Sequence, residues 1–237
     1  MKPVLVMITA LWWGALGEHD RMAGRFAPAR RRLKRALAML RRGGCADGTL
    51  AIGFWNTLGI ICKGEGRFPA AANAYGRAFK LARRHLRAND VKFACLYHNL
   101  AGLEHARERN TIAEPLARHG LSIRERVLGE EHVDVARDLA ALAAILDGSR
   151  RHREAEGLHR RALEIFERRG WFERREVAYT LANLAACLHM QGRRQEAVEA
   201  GRAAVALQRR MLGMRHPDVK LSETNLAIVE GGTCQRL

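Results

Sequence analysis

A repeat constrains this chain more than any other feature. Leu16, Leu58, Leu100, Leu142, Leu184 and Leu226 stand 42 residues apart, each followed by glycine or alanine. Ala29, Ala71, Ala113, Ala155 and Ala197 form a second comb with the same spacing. The stretches VARDLAALAAIL from Val135, VAYTLANLAACL from Val177 and VKLSETNLAIV from Val219 align at that period without gaps. REAEGLHRRALEIFERR from Arg153 falls over QEAVEAGRAAVALQRR from Gln195, and GRFAPA at Gly24 precedes GRFPAA at Gly66 by the same offset. A fixed period of this length means one supersecondary unit that buries its apolar face against copies of itself. The register sets units at residues 8–49, 50–91, 92–133, 134–175 and 176–217, a partial sixth at 218–230 and a tail at 231–237. A single array over residues 1–230 is the expected organisation.

Each unit reads as two helices. Leu139, Leu142, Ala143 and Leu146 recur at i, i+3, i+4 and i+7, the stripe of an amphipathic helix. A polar break at Asp147 to Arg151 precedes a second stripe through Ala155, Leu158, Ala162, Leu163 and Phe166. Small residues at the comb positions let two backbones approach closely, where larger side chains force helices apart. With 48% hydrophobic residues, 6% aromatic and 5 prolines, the chain can build a core and favours helix.

Leucine followed by Gly or Ala in the first helix, and a fixed alanine near the start of the second, resemble the tetratricopeptide repeat (TPR). A period of 42 is longer than the usual 34. The stretches IRERVLGEEHVDVA (Ile123 to Ala136) and LQRRMLGMRHPDVK (Leu207 to Lys220) are similar to the L-G-x-x-H-P-D-V junctions of the kinesin-light-chain-like TPR subfamily. Residues 86–92 and 170–176 do not carry that junction. The resemblance implies an all-α right-handed superhelical solenoid of antiparallel helix pairs. Gly129 and Gly213 then end helices, and His216-Pro217-Asp218 starts one.

The same resemblance implies a concave groove, lined mainly by first helices, that holds a peptide or a partner helix. The register places Asn99, Asn183 and Asn225 just before the Leu-Ala pair, a ladder interrupted by Thr57 and Ala141. An amide both donates to and accepts from an extended backbone. The competing assignment for these Asn is a bond to adjacent helix ends. His98, Arg137, Tyr179, His105 and His189 complete the groove candidates, with Arg137 suited to a ligand carboxylate.

Lys and Arg number 41 against 25 Asp and Glu, a formal net charge of +16. That balance attracts polyanions without discriminating among them. Nucleic acid, acidic peptides and an anionic membrane are all candidate partners by charge, and the charge does not choose among them. A protein or acidic peptide ligand leads, with a basic solenoid that binds nucleic acid as the alternative, because pairs such as Arg83-Arg84 and Arg209-Arg210 are scattered along the whole chain. A third reading makes the chain the sensor or assembly portion of a larger regulator. Self-association through an uncapped last repeat is a further option.

The five cysteines are odd in number and widely spaced, which argues for a reducing, cytoplasmic compartment. Val4 to Leu16 is apolar but too short to span a bilayer. The repeat register makes it the first helix of the array; read instead as a signal over residues 1–17, it predicts export. No H-E-x-x-H motif, tight Cys/His cluster, phosphate loop, dinucleotide fingerprint or paired carboxylates stand out, so neither metal, cofactor nor catalysis is expected.

Overall fold

A computed structural model describes residues 3–46, 48–170 and 175–231. Among these residues there are eleven α-helices and no strand: α1 (Pro3–Met22), α2 (Phe26–Arg42), α3 (Thr49–Gly64), α4 (Phe68–His85), α5 (Val91–Ala106), α6 (Asn110–Leu128), α7 (Val133–Gly148), α8 (His152–Arg168), α9 (Arg175–Met190), α10 (Arg194–Leu212) and α11 (Pro217–Val229). Trp171 to Arg174, within one of the two atypical junctions, and Cys234 fall outside the described residues.

The turn inside each repeat is built the same way five times. Gly24, Gly66, Glu108, Arg150 and Gly192 all take a positive φ, between 60° and 78°, at 42-residue spacing. The residue after each is an arginine. Its N–H bonds to the carbonyl five residues back: Arg25 to Asp20, Arg67 to Cys62, Arg109 to Glu104, Arg151 to Leu146 and Arg193 to Leu188, at 2.8–3.0 Å. This closure satisfies an orphan carbonyl at the helix end. The arginine carbonyl then accepts the N–H of the comb alanine four residues on, as in Arg25 to Ala29 and Arg151 to Ala155, both 3.1 Å. All five comb alanines are fully buried. The leucine comb is less uniform: Leu58, Leu142 and Leu184 are buried, while Leu16, Leu100 and Leu226 are half-buried.

The two H-x-D junctions also share one geometry. Gly129 (φ 84°) and Gly213 (φ 81°, ψ 155°) turn the chain; the second lies in a region essentially confined to glycine. His132 and His216 then cap α7 and α11, each Nδ1 accepting the N–H two residues on, from Asp134 at 3.1 Å and Asp218 at 3.2 Å. The cap thus comes from the histidine ring, with the aspartate adding favourable charge at the helix start.

The chain forms two compact units, Met1–Arg109 and Asn110–Leu237. In the first, α1 pairs with α2 and α3 with α4, and α5 packs on α4. Val6 and Ala10 of α1 are buried, whereas Leu5, Ile8, Leu11 and Trp12 leave its other face apolar and exposed. Gly59 lies against the ring of Tyr75, where a Cβ would stand 2.3 Å from Cε1. In the second unit, α7 pairs with α8 and α9 with α10, flanked by α6 and α11. Leu184, Leu188, Ala197 and Val229 form a core cluster there. No helix among the described residues is long and apolar enough to cross a membrane.

Candidate partner-binding site

Groove candidates divide between side chains already engaged and side chains left free. Arg137 of α7 pairs with Asp134 at 2.6 Å and with Glu176 of α9 at 2.8 Å. One period on, Tyr179 of α9 donates its hydroxyl to Asp218 of α11. Positions 137 and 179 are equivalent, as are 176 and 218, so one stitch joins first helices of successive repeats twice. Burial, and then the bond to Asp218, push the Tyr179 phenol up to about 12. Burial opposes the charge on Arg137, but its bonds to Asp134 and Glu176 hold its pKa above the ordinary value. Both side chains are committed to joining repeats.

The asparagines split similarly. Asn99 donates Nδ2 to Asn56 of α3 at 2.9 Å, bridging α3 and α5. His98 and His105 are half-buried on α5 and engaged in interactions within the protein. Asn183 and Asn225 are exposed. Neither makes a side-chain hydrogen bond among the described residues, and the His189 ring makes none either.

The structure brings His189 and Asn225 together in a cavity of about 220 Å³ formed by α9, α10 and α11. Ala182, Ala185 and Ala186 form one wall, Gly201 and Ala204 the floor, and Leu226, Ile228 and Val229 the facing wall. Gly201 is what allows α11 so near: a Cβ there would meet Leu226 Cδ1 at 3.0 Å. Small side chains facing large ones leave an apolar recess, and Met190 on its edge is 63% exposed. Such a recess, mostly apolar with a few polar groups, suits an apolar side chain whose backbone needs hydrogen-bonding partners.

Comparison with known proteins agrees with this architecture. The tetratricopeptide repeat models match residues 92–168 and residues 177–218, together half of the chain. The chain belongs to the tetratricopeptide repeat family. Among solved structures, it is similar to BtubC (BKLC) from P. vanneervenii, at 23% identity over 98% of this chain and 82% of that one, with a TM-score of 0.64. It is also similar to a putative kinesin light chain from Podosopora anserina with nearly identical TPR-like repeats (22% identity, 80% and 90% covered, TM-score 0.64). A Rap protein complexed with Competence and Sporulation Factor matches at 14% identity, 93% and 57% covered, with a TM-score of 0.73. A search of curated proteins finds no match. These similarities establish a TPR helical fold of the form found in kinesin-light-chain-like repeats.

The TPR register also exposes a second site, in the first unit. Trp13 and Trp55 are one period apart, and Arg35 and Arg77 stack over them at 4.9 and 4.7 Å. Arg77 and Trp55 line a cavity of about 540 Å³ between α2 and α4, together with Lys34, Arg41, Lys80 and Arg84. No acidic side chain lines it. Lys34, Arg41, Lys80 and Arg84 have no acidic partner among the described residues. Residue-by-residue reading missed this cluster because its members come from two different second helices and look scattered in the chain.

Proposed function

We propose that this TPR protein is a non-catalytic interaction scaffold that seats an apolar side chain of a partner segment in the cavity between α9 and α11. The observation that carries the reading is an apolar recess edged by two unengaged polar side chains, His189 and Asn225. Asn183 stands one period before Asn225 and is likewise exposed. That a Rap protein of similar fold is found with Competence and Sporulation Factor supports a ligand-binding role. The odd number and wide spacing of the cysteines support a reducing, cytoplasmic setting.

Peptides selected against the immobilised chain from a random display library test the proposal. They should bind the Ala186→Trp variant, which fills the recess, about tenfold or more weakly, a loss of about 1.4 kcal/mol or more. Replacing Asn183 and Asn225 by alanine should cost less. Equal binding to wild type and Ala186→Trp would remove the cavity from the account.

A second reading rests on the cationic cavity. Gathering Lys34, Arg41, Arg77, Lys80 and Arg84 around one concavity is unfavourable through like-charge repulsion, and an anionic ligand relieves it. Binding of a short single-stranded nucleic acid should then weaken steeply with salt, and Lys80→Glu with Arg84→Glu should reduce both the affinity and the salt slope. Binding indifferent to those two changes would exclude this cavity as the nucleic-acid site.

A further inference from the structure

Two successive repeats depart from their siblings in the residues they bring to one junction. Cys187 of α9 occupies the position filled by the exposed His19 in the first repeat and by Ile61, Leu103, Ile145 and Val229, all buried apolar side chains, in the others. His159 of α8 is fully buried at the position of Leu33, Tyr75, Ala117 and Gly201. Asp147, at the end of α7, is the one acid in a column otherwise occupied by Arg21, Lys63, His105, His189 and Gly231. Three metal-ligating residue types are therefore concentrated where other repeats use aliphatic, aromatic, small or basic ones.

Their geometry is convergent. Asp147 Oδ1 lies 3.0 Å from His152 Nδ1, and the ligating atoms of Asp147, His152 and Cys187 all fall within 4.8 Å of one another. Asp147 Oδ2 lies 3.2 Å from His159 Nε2, while the buried Nδ1 of His159 has no hydrogen-bond partner. The Cys187 thiol donates to the His152 carbonyl at 3.0 Å. Nearby Glu156 is itself held by Arg160, Arg193 and Gln191, so it does not compete for these groups.

We propose that Asp147, His152 and Cys187 bind a divalent zinc-type cation, with His159 as a positioning residue behind Asp147. An O, N, S donor set suits Zn²⁺, whereas Mg²⁺ and Ca²⁺ prefer oxygen alone. Tetrahedral bonds of about 2.0–2.3 Å set ligand atoms about 3.3–3.8 Å apart, so Asp147 and His152, now 3.0 Å apart, must open slightly, and all three ligand atoms already fall within 4.8 Å of one another. On binding, the Cys187 S–H bond breaks, a sulfur–metal bond forms and the proton passes to water; no electrons are exchanged. Carboxylate and thiolate together balance the 2+ charge, leaving both imidazoles neutral. His159 Nε2–H donates to Asp147 Oδ2, fixing the carboxylate as outer-shell partners do in metal sites. His152 also lines a surface cavity of about 350 Å³ with Gln191 and Arg150, which opens the His152 side of the site to solvent. No local motif announces the site, because Cys187 comes 35 residues after His152, in the next repeat.

The test uses the full reduced chain, freed of metal by chelation, with Co²⁺ as a spectroscopic probe and Zn²⁺ as competitor. One equivalent of Co²⁺ should give a near-ultraviolet thiolate-to-cobalt band that Zn²⁺ abolishes. Cys187→Val, which installs the aliphatic type used by the sibling repeats, should keep the helical circular dichroism and lose the band; Asp147→Asn and His152→Ala serve as second variants. His159→Gln should keep the band but weaken binding about ten- to a hundredfold. A Co²⁺ complex without the band, or a band that survives in Cys187→Val, overturns the proposal.

Discussion

The two units use the same arginine of the repeat differently. In the second unit, Arg151 bridges Glu154 of its own helix and Glu114 of α6, at 2.6 and 2.7 Å. Arg193 repeats the arrangement one period on with Glu196 and Glu156. In the first unit, Arg25 turns back to Asp20 at 2.7 Å and Arg67 to Glu65 at 3.5 Å, both acids preceding the turn. The cause is local: the residue three after the arginine is Glu154 or Glu196 in one unit, but Pro28 or Ala70 in the other. The second unit therefore spends arginine charge on joining successive repeats. The first leaves Lys34, Arg41, Lys80 and Arg84 facing a cavity, so a net charge of +16 is chemically available mainly where pairing is sparse.

The sharpest way to break this contrast is inside the second unit, where Arg124 and Asp138 face each other at 3.0 Å, with side chains only 6% and 3% exposed. The first unit has Leu40 or Ala82, and Phe54 or Leu96, at the equivalent positions. Asp138→Ala should cost about 3–5 kcal/mol in urea unfolding, because it takes the 3.0 Å carboxylate from a buried guanidinium and leaves it Asp134 at 3.9 Å, whereas Arg124→Leu with Asp138→Leu should come within about 1 kcal/mol of wild type or exceed it. If the double variant is as unstable as the single one, the pair is not a replaceable substitute for apolar packing.

Gly59→Ala tests the first unit's reliance on tight aromatic packing, since Tyr75 must move to admit the methyl. A loss of about 1–3 kcal/mol is expected; an unchanged midpoint would show that Tyr75 yields freely. Arg150→Gly should instead stabilise the second unit by up to about 1 kcal/mol, as it relieves a non-glycine residue at φ 61° in a turn where Gly24, Gly66 and Gly192 stand in three other repeats. The converse change, Gly66→Ala, should destabilise by a similar amount, measured by thermal unfolding.

Acid provides the smallest but most selective contrast. Burial raises the Glu114 and Glu156 carboxyls, yet hydrogen bonds from Arg118 and Arg151, and from Arg160, Gln191 and Arg193, hold both below the ordinary 4.5. Their folded values are depressed, so the stability they add is complete above about 4.5 and is lost as pH falls through the folded values. Hydrogen exchange followed with pH should show α6, α8 and α10 loosening in that acid window, and Arg151→Ala should flatten the dependence around α6 and α8. A pH profile unaltered by Arg151→Ala would contradict the ladder.

The period, the helix pairs and the burial of the alanine comb were legible in the sequence because each depends on residue size and spacing alone. The five turns were equally periodic, but the arginine after each positive-φ residue looks like surface charge until its backbone bonds are seen. Site residues were harder to read for a physical reason: a polar side chain on a first helix can face a ligand or the next repeat. Arg137 and Tyr179 meet Glu176 and Asp218, which lie in the first turn of the following first helix, and Asn99 meets Asn56. Asn183, Asn225 and His189 have no such neighbour among the described residues. The cavity itself is defined by what is missing from side chains, Ala182, Ala186 and Gly201, and small residues in a repeat ordinarily signal close helix packing.

The central claim, that a partner segment sits between α9 and α11, is tested most directly by hydrogen exchange on the full chain with and without a display-selected peptide. Slowed exchange should concentrate in α9 and α11, centred on residues 182–190 and 222–229. Protection in α2 and α4 instead, with α9 and α11 unchanged, would contradict that claim and move the binding site to the cationic cavity of the first unit.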